Sequence, residues 1–239
     1  AGSNAGRSYV VFGKIGSAAI DLSAIAAGSG GFVLNGQGAS DNSGYRVASA
    51  GDVNGDGLTD LIVGAWQSDP ISWSGPINNA GRSYVVFGKS TGTAINLSAV
   101  IAGTGGIVIN GQINSAKSGY SVSGAGDVNG DGFDDVMVGD SSVSQGRTYV
   151  IYGQATNTGV VINSLGDINN SQGFKIFENV YDGSAPFGSS VTGLGDVNGD
   201  GLADLLIRCF WRVGIAGDHS LDLLFGQLFS GHSRVLSFR

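Results

Sequence analysis

Residues 51–63 read Gly-Asp-Val-Asn-Gly-Asp-Gly-Leu-Thr-Asp-Leu-Ile-Val, a cluster of oxygen-bearing side chains that runs straight into an apolar strand. The segment Gly51–Gly57 returns unchanged at Gly126–Gly132 and Gly195–Gly201, spaced by 75 and 69 residues. A second motif keeps nearly the same beat. Gly6–Gly13 (Gly-Arg-Ser-Tyr-Val-Val-Phe-Gly) is identical to Gly81–Gly88, and Gly146–Gly153 repeats it as Gly-Arg-Thr-Tyr-Val-Ile-Tyr-Gly, at spacings of 75 and 65. Long-period repetition with variable loop length marks one supersecondary unit used three times.

Each unit carries four short strand signals. Ser8–Phe12, Ser83–Phe87 and Thr148–Tyr152 are β-branched and aromatic and close on glycine; Gly31–Leu34, Gly106–Ile109 and, more loosely, Gly173–Phe177 form a second set. Tyr45–Ser49, Tyr120–Gly124 and Ser189–Gly193 lead into the aspartate loop, and Asp60–Val63, Asp135–Val138 and Asp204–Ile207 leave it. Four short strands joined by glycine-rich turns describe a propeller blade. The fold class expected is therefore all-β, a partial β-propeller of three blades. Its units run about 1–79, 80–144 and 145–208, and a divergent tail or incomplete blade occupies 209–239. Short helical turns are expected in Leu22–Ala27 and Leu97–Ala102, where strand alternation lapses.

The loops have a definite chemistry. Positions 1, 3, 5 and 9 of the first are Asp52, Asn54, Asp56 and Asp60, and the carbonyl of Leu58 is available at position 7. The second supplies Asp127, Asn129, Asp131, the Phe133 carbonyl and Asp135; the third supplies Asp196, Asn198, Asp200, the Leu202 carbonyl and Asp204. Glycines at positions 4 and 6 permit the tight curl that turns such oxygens inward. A set of hard oxygen donors suits calcium, whereas zinc would want His or Cys. An EF-hand begins alike but needs a carboxylate at position 12 within a helix–loop–helix. Position 12 here is Val63, Val138 or Ile207, so that reading fails. Solvated Asx turns are the plain alternative. Three intact loops, each crowding three carboxylates together, favour calcium, about one ion per loop.

Composition agrees. Of 239 residues 43 are glycine, and of 19 acidic residues only Glu178 is not aspartate. Three divalent ions in the loops would bring the formal charge from −7 to −1. Net acidity without a Lys/Arg cluster argues against nucleic acid. No apolar run is long enough to span a membrane. Ala1 is not an initiator methionine, and the Gly-Arg-Ser-Tyr motif at residue 6 places the start within a blade, so the chain is read as a fragment or processed product.

The stretch Gly188–Ile207, preceded by Phe187, resembles the FG-GAP repeat of integrin α-chain β-propellers. The resemblance covers residues 1–208. It implies a blade per repeat, calcium held by the loop residues named above, and a ligand face opposite the calcium loops. Departures are visible: Phe187-Gly188 becomes Ser43-Gly44 and Ser118-Gly119, and the Gly-Ala-Pro signature becomes Gly64-Ala65-Trp66, Gly139-Asp140-Ser141 and Arg208-Cys209-Phe210. In composition the repeats look closer to bacterial secreted proteins than to animal integrins. The family's propellers usually hold seven blades, so further blades of the same protein, or another copy, would complete the ring.

The tail holds Cys209, Asp218, His219 and His232, whose spacing matches no ligand or triad pattern; it reads as a divergent end. A frame slip is the other reading, since suitable codons for Ser230–Arg239 shifted by one base encode a motif close to the one due there. Arg7, Arg82 and Arg147 are expected to be structural, pairing with neighbouring carboxylates, and Tyr9, Tyr84 and Tyr149 to pack between blades. Trp66 and Trp73, in the long loop 65–80, fit either core packing or a ligand surface. No catalytic constellation appears in the repeats. The expected function is a calcium-stabilised extracellular recognition or adhesion segment, secreted or at the cell surface, whose ligand is a protein or glycan. The alternative is a non-catalytic domain of a larger secreted hydrolase.

Overall fold

The computed structural model describes residues 2–72, 74–141, 146–155, 160–162, 168–177, 187–208 and 224–225. Its first elements are β1 (Arg7–Val11), α1 (Leu22–Ala26), β2 (Gly31–Asn35), β3 (Arg46–Gly51), β4 (Asp60–Ala65), β5 (Ile71–Ser72) and β6 (Gly75–Pro76). Then follow β7 (Arg82–Val86), β8 (Ile95–Asn96), α2 (Leu97–Ile101), β9 (Gly106–Asn110), β10 (Ser121–Gly126), β11 (Asp135–Asp140) and β12 (Arg147–Ile151). The last are β13 (Val160–Ile162), β14 (Gly173–Phe177), β15 (Val191–Gly195), β16 (Asp204–Ile207) and β17 (Leu224–Phe225).

Sequence neighbours pair into antiparallel sheets. β3, β4, β7 and β9 form one blade, and β10, β11, β12 and β14 the next, in the same order. Before them lie β1 and β2, equivalent to the two outer strands of a blade; after them lie β15 and β16, equivalent to the two inner strands. The inner strand β10 lies against both β3 and β15, so successive sheets stand side by side about their inner strands. The fold is an all-β partial propeller whose sheets do not close into a ring.

Strand alternation explains how the sheets stack. A strand between two blades must be apolar on both faces, and residues of opposite parity face opposite neighbours. Thus Val63, Tyr84 and Val86 join Phe32 and Leu34 of the preceding sheet, while Ile62 and Val85 join Val122, Val136 and Tyr149 of the following one. Met137 and Val150 meet Phe187, Val191 and Ile207 in the space between the β10–β14 blade and the β15–β16 sheet. Tyr84 and Tyr149 are buried between blades, as the sequence implies, whereas Tyr9 on β1 is only half-buried. Both expected helical turns form; Asp21 caps α1 by accepting the Ser23 N–H at 2.8 Å.

Several features depart from the sequence expectation. β8 and β13 are parallel straps: each leaves the link between a blade's third and fourth strands and pairs with the outer strand of the preceding sheet. The third inner strand starts at Val191 rather than Ser189, because Phe187–Ser190 is taken up by a turn and bend. Arg7 and Arg82 clamp amides, not carboxylates: Nε donates to Asn35 Oδ1 at 3.0 Å and to Asn110 Oδ1 at 2.6 Å. Trp73 and the tail residues Cys209, Asp218, His219 and His232 lie outside the described residues.

Candidate metal centre

Each aspartate loop joins the inner strand of a blade to the second strand. Both strands hold ladder pairs up to the loop, and each inner strand carries a register shift two residues before its first aspartate, between Ser49 and Gly51, Gly124 and Gly126, and Gly193 and Gly195. The bulge twists the strand end and aims the loop. The position-4 and position-6 glycines take the left-handed conformation their role demands, with φ of 76° and 84° at Gly55 and Gly57 and near-identical values in the other two loops.

The three loops share one hydrogen-bond plan. Asp52 accepts the N–H groups of Gly55, Asp56 and Gly57 at 2.8–3.0 Å. Asn54 Oδ1 accepts the Asp56 N–H, and Asp56 accepts the Leu58 N–H and the Asn54 side-chain amide. Asp127 and Asp196 head the same network in the later loops. These contacts curl each loop so that positions 1, 3 and 5 share one concave side. Among the described residues no three Asp, Glu, His or Cys side chains converge as a finished coordination cluster. Instead the carboxylates are turned onto the loop's own N–H groups.

Position 9 differs in depth. Asp60 and Asp135 are fully buried and Asp204 is 7% exposed. Asp60 accepts from Val53 N–H at 2.9 Å and Gly88 N–H at 2.7 Å, and Asp135 accepts likewise from Val128 and Gly153. Burial pushes Asp60 up to about 6 and Asp135 up to about 7, against the pull of those N–H groups. A carboxylate so deeply placed is costly as an anion unless a cation lies beside it. The donor set is entirely hard oxygen, three carboxylates with one amide and one carbonyl, and that chemistry fits calcium. All fifteen residues named from sequence lie in these three loops; what joins each set is its loop, not a shared pocket.

The other end of the blades is chemically distinct. Tyr45 and Trp66 flank the β3–β4 hairpin at the end away from its aspartate loop. Their rings meet at 5.7 Å, Tyr120 of the next blade packs on both, and Lys117 lies over the Trp66 ring. Trp66 is thus half-buried in an aromatic joint between blades, while Tyr45 is 42% exposed. The hairpin β5–β6 beyond it presents Ile71 to solvent.

One residue outside the nine-position ligand pattern also meets a loop. Asp134, at position 8 of the second loop, accepts the Asp52 N–H of the first at 2.7 Å. Position 8 has no ligand role in the nine-residue pattern; the visible signal was an Asp-Asp pair where the other loops have Thr59 and Ala203.

Comparison with known proteins gives a consistent picture. The FG-GAP repeat family matches residues 43–86 and 118–151, each match running from the inner strand through the aspartate loop to the third strand. The chain is similar to integrin alpha-4 of Xenopus laevis (28% identity over 164 residues) and to integrin alpha-7 of Homo sapiens (30% over 175). It is also similar to integrin alpha pat-2 of Caenorhabditis elegans (32% over 180). These alignments cover 67–73% of this chain but only 13–14% of each relative, so the chain spans about one seventh of the curated relatives it matches.

Proposed function

This chain is an FG-GAP repeat protein, and on that premise we propose that it is a calcium-stabilised propeller segment of an extracellular adhesion or recognition protein. The carrying observation is the threefold recurrence of one oxygen-only loop with one backbone plan and a buried carboxylate at its ninth position. In this reading Asp52, Asn54, Asp56, the Leu58 carbonyl and Asp60 hold one ion. Asp127, Asn129, Asp131, the Phe133 carbonyl and Asp135 hold a second. Asp196, Asn198, Asp200, the Leu202 carbonyl and Asp204 hold a third. Bound calcium supplies positive charge that fixes the loop and offsets the buried carboxylate; it does no chemistry on a substrate.

The ligand is a protein or glycan outside the cell, met on the face that carries Tyr45, Trp66 and the β5–β6 hairpin. Exposed aromatics beside cations are typical of binding surfaces. Among the described residues no helix is long and apolar enough to cross a membrane. The resemblance to integrin α-chains supports the extracellular setting, and further blades supplied by the same protein or another copy complete the ring.

Calorimetric titration of the chain with calcium chloride tests the reading. About three ions are expected, with one lost in each of Asp56→Ala, Asp131→Ala and Asp200→Ala. Heat of dilution alone would contradict it.

A further inference from the structure

The loops are not independent units along the array. The Asp134 N–H donates to the Asp52 carbonyl at 3.1 Å, and the Ala203 N–H to the Asp127 carbonyl at 2.9 Å, so position 8 of each loop is tied to position 1 of the loop before. Position 7 reaches back as well. The Phe133 ring lies so close over Gly55 that an added Cβ would meet Cε1 at 2.5 Å, and a Cβ added at Gly130 would meet Leu202 Cδ2 at 3.1 Å. The Gln154 N–H, just past β12, also donates to the Val53 carbonyl of the first loop at 2.9 Å. The Asp134 side chain adds a further link at the first junction. The Asp134 carboxylate accepts the Asp52 N–H at 2.7 Å, where the second junction has the methyl group of Ala203.

We propose that Asp134 is a positioning residue that couples the first two calcium loops, so that an ion in either one raises the affinity of the other. The proposal rests on the calcium reading above. An ion in the second loop would be held by the Phe133 carbonyl and the Asp135 carboxylate, the residues on either side of Asp134. Ordering that tripeptide fixes the Asp134 carboxylate, which fixes the backbone of Asp52, the first donor of the preceding loop. Coupling of this kind is reciprocal. The second junction has the Ala203 methyl group in place of the carboxylate while sharing the backbone bond and the position-7 contact, so its coupling is weaker.

The test is calorimetric titration with calcium chloride in chains whose third loop is disabled by Asp200→Ala. Adding Asp131→Ala disables the second loop and isolates the first. Both aspartates are exposed, so truncating them leaves the core intact. The first loop is expected to bind roughly 5-fold or more weakly once the second is disabled. In an Asp134→Ala background, where the backbone bond and the Phe133 contact remain, disabling the second loop should matter clearly less. Asp134→Asn, which keeps an oxygen acceptor for the Asp52 N–H, should restore the dependence. A first loop whose affinity is the same with the second intact or disabled overturns the coupling while leaving calcium binding in place. Dependence undiminished in Asp134→Ala overturns the role of that residue. Absence of any calcium heat in the unsubstituted chain overturns the calcium reading itself.

Discussion

At Gly64 an added Cβ would fall well inside van der Waals contact of the Gly119 carbonyl oxygen, and Gly139 faces Gly188 in the same way across the next junction. The glycines recur because the turn that opens one blade is pressed onto the second strand of its neighbour. Gly64→Ala is therefore expected to cost roughly 1–3 kcal/mol of stability, read by chemical denaturation, with no change in calcium stoichiometry. Arg208 occupies the corresponding slot in the β15–β16 sheet, where its carbonyl still accepts the Gly188 N–H at 3.1 Å, as that of Gly64 accepts the Gly44 N–H. Asp140 replaces Ala65 and is 3% exposed, and its Oδ1 makes no hydrogen bond. Burial pushes its carboxyl up to about 7, against the pull of Ser118, Arg147 and Tyr149. The folded chain thus holds this proton more tightly than the unfolded chain, whose aspartate titrates near 3.8. Its contribution is whole below about pH 4 and lost as pH rises through about 7. Melting followed from pH 5 to pH 8 in saturating calcium should show a decline that Asp140→Asn removes. An unchanged slope in that variant would locate the decline elsewhere.

At the scale of elements, the twelve blade strands could be read from sequence because burial on both faces demands β-branched and aromatic runs, and the loops because oxygen donors recur at fixed positions. Boundaries were less sharp: Tyr45 and Tyr120 resemble strand residues, yet they stand before β3 and β10 and stack with Trp66 instead. The straps β8 and β13 could not be read. Two or three residues inside a link have no periodicity, and they become strands only when Leu34 and Asn35, or Ile107 to Ile109, of the preceding sheet offer an edge. Asp134 was hidden for a related reason, since its partner lies 82 residues away. The strap of β8 runs directly into α2, whose Leu97 and Val100 are fully buried against the first two sheets. Leu97→Ala is expected to cost roughly 2–5 kcal/mol in urea denaturation, although it lies in none of the aspartate loops. A loss below 1 kcal/mol, on the order of an exposed-site change, would show that α2 does not anchor the strap.

For the whole molecule, the acidity and the glycine content belong to one design. Nine of the 19 acidic residues lie at the carboxylate positions of the three loops, and the paired glycines of each loop give it its curl. The loops follow one another along one end of the stacked sheets, joined by hydrogen bonds from position 8 to position 1, while the aromatic joint of Tyr45, Trp66 and Tyr120 holds the opposite end. Ions bound along that end would brace the blades where carboxylate repulsion is greatest, and they would stabilise the fold by mass action. A ligand at 100 times its dissociation constant adds roughly 2.7 kcal/mol per site. The most direct test is the melting temperature of the chain in calcium and again in EDTA. The expected result is a Tm higher by roughly 10 °C or more in calcium, and a melting temperature that EDTA leaves unchanged would contradict it.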